Sequence, residues 1–146
     1  MKEESLRYHE FVHQVQEEAE LDAQDEAVRT IRATLSSLGE CLYRTERRHL
    51  ASQLPKEAKV FLYDYVDSQV TREEAACLTL EAFYDRVAAR ADVTRTHGVE
   101  RAKAVATVLR KLMPAGEWEH IISEMPKEYG ELLGRDPAEP ASTSTA

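Results

Sequence analysis

Leu54-Pro55-Lys56-Glu57 returns later in the chain as Met125-Pro126-Lys127-Glu128. The physics of this tetrad is that of a helical corner. An apolar anchor closes one helix, and proline cannot continue it, because inside a helix it loses a backbone hydrogen bond and clashes with the preceding turn. The same ring suits the first position of a new helix, and the glutamate falls in a first turn where the helix dipole favours negative charge.

Outward from this corner the two halves of the chain keep echoing each other. Phe11 and Val15 correspond to Phe83 and Val87. Ile31, Leu35 and Leu38 correspond to Val105, Leu109 and Leu112, and Leu50 to Ile121. Beyond the corner, Phe61 and Leu62 correspond to Leu132 and Leu133. The pattern predicts an all-α helical bundle of about eight helices, built from two pseudo-repeated helical units at about residues 5–66 and 71–134. Each unit alone would expose an apolar face, so the faces are expected to pack into one core.

Nearly every segment carries the helical period. Tyr8, Phe11, Val12, Val15 and Ala19 form one stripe, and Val28, Ile31, Leu35 and Leu38 a second. Ser5, Asp22 and Thr45 are expected N-caps, Thr71 to Glu74 reads as a capping box, and Gly39 as a left-handed residue just past a helix end. Thr94 to Gly98 reads as a loop. Leu80, Phe83, Tyr84, Val87 and Ala91 make a third stripe, Ala102, Val105, Leu109 and Leu112 a fourth, and Trp118, Ile121, Ile122 and Met125 a fifth.

Of the 146 residues, only five are Gly and five Pro, which disfavours turn-rich β folds. Residues 1–134 are expected to fold as one domain, and the small, polar, Pro-containing 135–146 as a disordered tail. The net charge of −8, spread evenly over both halves, disfavours nucleic-acid binding and anionic membrane surfaces. With no apolar run of spanning length and no secretory leader pattern at Met1-Lys2-Glu3-Glu4-Ser5, a cytoplasmic protein is expected. Cys41 and Cys77 have no metal or redox spacing and are expected as two free thiols.

These motifs are similar to those of the domain-of-unknown-function family numbered 2267. The resemblance rests on Phe11 with Val15, Gln53-Leu54-Pro55, Phe83 with Val87, and Met125-Pro126, and spans about residues 8–134. It implies a small all-helical prokaryotic protein and brings no activity, cofactor or catalytic residue with it. Met125 replaces the usual leucine of the second corner, a swap that a core tolerates.

One motif carries potential chemistry. His9-Glu10-Phe11-Val12-His13 is H-E-x-x-H on a predicted helix, the pattern in which two histidines hold zinc and the glutamate acts on its bound water. Its context opposes that reading. Almost no chain precedes it to build a substrate-binding sheet, positions 16, 19 and 23 are Gln, Ala and Ala, and the helical wheel puts His9 and His13 beside the apolar stripe with Glu10 outermost. For His49, His97 and His120, a nucleophile pair of Cys41 with His49 is conceivable but draws no support from the spacing. Arg44, Arg47 and Arg48 form a compact basic cluster, and Trp118 is the single tryptophan. No catalytic, cofactor or metal residue is therefore assigned. The expected function is a non-enzymatic interaction or regulatory module, with an unknown protein partner or self-association. The alternatives are a metal-dependent hydrolase at residues 9–13 and a small-ligand binder between the two units.

Overall fold

A computed structural model describes residues 2–66 and 79–134, and among these all regular structure is helical. Helix α1 spans Lys2–Glu18, α2 Gln24–Cys41 and α3 Arg44–Ala51. A short α4, Lys56–Lys59, runs on into a 3-10 turn at Val60–Tyr63. Beyond the undescribed stretch come α5 (Leu80–Ala91), α6 (Arg95–Leu112) and α7 (Ala115–Ser123). A 3-10 turn at Lys127–Tyr129 then opens directly into a π turn at Gly130–Gly134. Counting each continuous run once gives eight helical segments among the described residues. The capping box at Thr71 to Glu74 and the tail at 135–146 lie outside the described residues.

The apolar stripes are the reason these helices pack as they do. α2 is the centre, packed on α1, α5, α6 and the turn after α4, while α5 and α6 lie against each other. Phe11, Val12 and Val15 from α1 and Ile31, Leu35 and Leu38 from α2 are buried with Phe83, Val87, Val105 and Leu109 from α5 and α6. These residues of both halves belong to one hydrophobic cluster. Each such side chain contributes roughly 1.5–3 kcal/mol by leaving water.

Both prolines stand where a helical corner needs them. Pro55 has φ −57° and ψ 149°, and Pro126 has φ −58° and ψ 149°, each just before the next helical turn. Leu54 and Met125, the apolar anchors, are both buried.

Several expected helix ends fall elsewhere. Ser5 lies inside α1, and α2 begins at Gln24 with Ala23 rather than Asp22 in the cap position. Thr45 lies inside α3, whose N-cap is Tyr43. Thr94 is itself a cap, its hydroxyl accepting from the His97 amide, so that 95–98 is helix rather than loop. Thr79 caps α5 in the same way through Ala82.

The glycines differ most from expectation. Gly39 and Gly98 lie within α2 and α6, and no described glycine has a positive φ. A Cβ on Gly98 would stand 2.7 Å from that of Ala88, so this glycine serves the close approach of α5 and α6. Left-handed backbone occurs instead at Glu20 (φ 57°) and Asp92 (φ 63°), which close α1 and α5. In both closures the next amide reaches back five residues, Leu21 to the Gln16 carbonyl at 2.9 Å and Val93 to Ala88 at 3.0 Å. That is the Schellman arrangement, here without glycine.

Candidate functional site: a histidine–carboxylate junction of α3 and α7

The two short helices before the proline corners carry one pattern, Glu-x-x-His-x-x-Ser, as Glu46 and His49 on α3 with Ser52 at its C-cap, and Glu117, His120 and Ser123 on α7. Residues three apart share a helix face, so each glutamate and histidine project together. The two faces meet with exchanged partners. His49 Nε2 hydrogen-bonds Glu117 Oε1, and His120 Nε2 lies 3.6 Å from Glu46 Oε2. The imidazole centroids are 5.9 Å apart, with the rings tilted by 42°.

Glu124 completes the cluster. One ligand atom from each of Glu46, His120 and Glu124 lies within 4.8 Å of the others. Glu46 is buried, whereas Glu124 and His120 are open to solvent. Beside them lies a shallow, open surface depression of about 390 Å³ lined by His49, Pro114, Gly116, Glu117 and His120. Ser52 and Ser123 tie the adjoining helix ends, their hydroxyls donating at 2.7 Å to the carbonyls of His49 and His120. Both histidines thus sit in last turns, where the helix dipole favours positive charge.

Apolar periodicity does not point to this junction, although a signal for it exists in the sequence. The correspondence of Leu50 with Ile121 extends four residues toward the N-terminus as Glu46 with Glu117 and His49 with His120. What cannot be read from one dimension is that the histidine of one helix faces the glutamate of the other.

The H-E-x-x-H residues lie elsewhere. His9, Glu10 and His13 are all exposed on α1, as the helical wheel places them, and His13 pairs with Glu17 at 3.0 Å. Neither histidine belongs to a cluster of three metal-ligating groups among the described residues.

Arg47, from the basic cluster, is buried rather than solvated. Its guanidinium donates to the carbonyls of Gly39 at 2.9 Å and Leu42 at 2.6 Å, finishing the C-terminal end of α2. Burial lowers its pKa from the ordinary arginine value. Trp118 is buried too, donating Nε1–H to the Leu133 carbonyl at 2.9 Å. It borders a groove of about 610 Å³ with Met113, Ile122, Met125 and Lys127, which lies within the second half of the chain.

The expectation of two free thiols fails at Cys41, which is disulfide-bonded, while Cys77 lies outside the described residues. Sequence spacing carries no information about such a tertiary approach. Tyr129, fully buried, has its hydroxyl 3.8 Å from the Cys41 sulfur and its ring edge-on to Phe83.

A separate surface is formed near the first corner. Tyr43, Val60, Tyr63 and Tyr65 are large apolar or aromatic side chains exposed to solvent. Arg47 lies 5.9 Å from the ring centre of Tyr63, and Arg90 3.7 Å from that of Tyr65. Arg44, Arg48 and Lys59 are exposed on the neighbouring α3 and α4.

No described helix is long and apolar enough to cross a membrane. No curated protein matches the chain. A family model described as "Uncharacterized conserved protein (DUF2267)" matches residues 8–132, nearly the whole described fold, and the chain belongs to that family.

Proposed function

We propose that this protein acts without catalysis, as an interaction or regulatory module whose aromatic–arginine face docks a partner protein. The observation that carries this reading is the exposure of Tyr43, Val60, Tyr63 and Tyr65, at 38–56%. Tyrosine and arginine are the residues that most often anchor interfaces. Stacking of Arg47 and Arg90 on the rings restrains them before any partner arrives, which lowers the ordering cost of binding. Arg44, Arg48 and Lys59, exposed on α3 and α4, favour a partner segment that combines carboxylates with apolar side chains.

The scaffold belongs to the same proposal, as one domain of two pseudo-repeated units. Support comes from a constant spacing in the helix ends. Leu42 and Met113 close α2 and α6 with ψ 146° in both, and each amide bonds the carbonyl four residues back. This register pairs Leu38 with Leu109 rather than with Leu112. A cytoplasmic location is proposed from the acidic chain. The disulfide at Cys41 pulls the other way, because reducing compartments keep cysteines as thiols. Alkylation of Cys41 in freshly lysed cells tests the location.

The partner face is tested by affinity capture with the wild-type protein, Tyr63→Ala and Arg44→Glu in parallel. A partner held by the wild type and lost by both variants, with unchanged circular dichroism, supports the face. A partner held equally by all three refutes it. The alternative of hydrolysis at residues 9–13 draws no support from three exposed side chains.

A further inference from the structure

We propose that Glu46, His120 and Glu124 form a binding site for one divalent transition-metal ion at the junction of α3 and α7, with the His49–Glu117 pair beside it.

Donor chemistry comes first. An imidazole with carboxylate oxygens suits zinc and its first-row neighbours rather than calcium or magnesium, which prefer oxygen alone. The two carboxylates of the set carry a formal charge of −2, which a divalent cation offsets.

Geometry comes second. Both imidazoles turn Nε2 toward the junction, one onto Glu117 and the other toward Glu46. Zinc holds nitrogen and oxygen ligands at about 2.0–2.2 Å, so ligand atoms around it stand roughly 3–3.5 Å apart. The Glu46, His120 and Glu124 atoms lie within 4.8 Å, so rotamer adjustments of about an ångström close the set. Glu124 and His120 are on the surface side and free to make that adjustment, while Glu46 is fixed by burial.

The setting comes third. Pairs of Glu-x-x-His on facing helices are a known way for helical bundles to build metal sites in their interiors. Here the junction is at the surface, with a shallow open depression lined by His49, Glu117 and His120 beside it. The last turns of both helices add their partial negative charge. Because the ligands come from both halves of the chain, the ion would cross-link α3 to α7. It would stabilise the folded state by its binding free energy.

The experiment titrates tag-free protein with zinc chloride by calorimetry, and with cobalt chloride by visible absorption. Wild type is expected to take one equivalent of either ion, show nitrogen-coordinated cobalt bands, and gain thermal stability with zinc. His120→Ala removes a direct ligand, so affinity should fall by more than the roughly 10–100-fold that outer-shell partners are worth, and His49→Ala, beside the set, by no more than that. Glu124→Gln, an exposed change that leaves the core intact, should weaken binding too. His9→Ala/His13→Ala should bind as wild type does. The proposal is overturned if wild type binds no zinc or cobalt. It is also overturned if the His120 and Glu124 variants bind unchanged, or if only the His9/His13 variant loses the ion. Should a histidine variant unfold, the Glu124→Gln titration decides between these outcomes alone.

Discussion

Gly39, near the end of α2, lies directly against the backbone of Leu62, so closely that any Cβ would collide with the Leu62 carbonyl oxygen. The obstacle is backbone rather than a flexible side-chain tip, and it cannot swing aside. Gly39→Ala is expected to destabilise the protein by about 2–3 kcal/mol, the upper range for overpacked sites. Gly116 on α7 meets nothing within 4 Å, and Gly116→Ala should be neutral or stabilising by up to about 1 kcal/mol. Urea melts of the two variants measure the contrast, and equal stabilities would remove the close approach as the reason for Gly39.

Arg47 is the second contact that holds the end of α2. Arg47→Met keeps the apolar stem and deletes the donors to the Gly39 and Leu42 carbonyls. Charged hydrogen bonds of this kind make the expected loss about 2–4 kcal/mol. Arg47→Lys should recover only part of it, since an ammonium cannot span both carbonyls as the guanidinium fork does. Denaturant midpoints at equal slope are the measurement.

Glu20 holds a left-handed conformation that glycine adopts without cost. Glu20→Gly is therefore expected to raise stability by about 1 kcal/mol, the lower estimate of the penalty for an L-residue there. Asp92 is the milder case, because aspartate tolerates this region better, and Asp92→Gly should gain less. Thermal midpoints rank the pair.

Tyr84 and Tyr129 have pKa values raised above the tyrosine norm, in both cases chiefly by burial. For Tyr84 the hydrogen bond to Glu131 at 2.9 Å adds to the shift. The unfolded chain then loses these protons before the folded one does. Stability from the raised pKa values is complete below pH about 10 and declines as pH climbs beyond it. Tyr84→Phe should flatten that alkaline decline while costing about 1–2 kcal/mol at neutral pH for the lost bond. Urea midpoints followed across the alkaline range give both numbers.

The helices are legible because a stripe of apolar residues at helical spacing needs no knowledge of what it packs against. Phe11, Val15, Phe83 and Val87 fall on the stripes and are buried. The corners at Pro55 and Pro126 are legible for a similar reason, since proline acts on its own backbone. Gly39 and Gly98 are ambiguous for the opposite reason. Glycine suits a left-handed helix end and a close helix contact equally well, and only the neighbouring backbone tells the two apart. Left-handed backbone falls instead at Glu20 and Asp92, both exposed, where backbone hydrogen bonds close α1 and α5.

The functional residues divide along the same line. The all-α class, the helix stripes and the proline corners follow from the order of residues alone, because each depends on forces acting within a few positions. So does the H-E-x-x-H at 9–13, a pattern complete in one helix and placed on its exposed side. The pairing of His49 with Glu117 and of His120 with Glu46 exists only in the folded chain. Those partners lie on separate helices, and what sets them face to face is the packing of one half of the chain on the other.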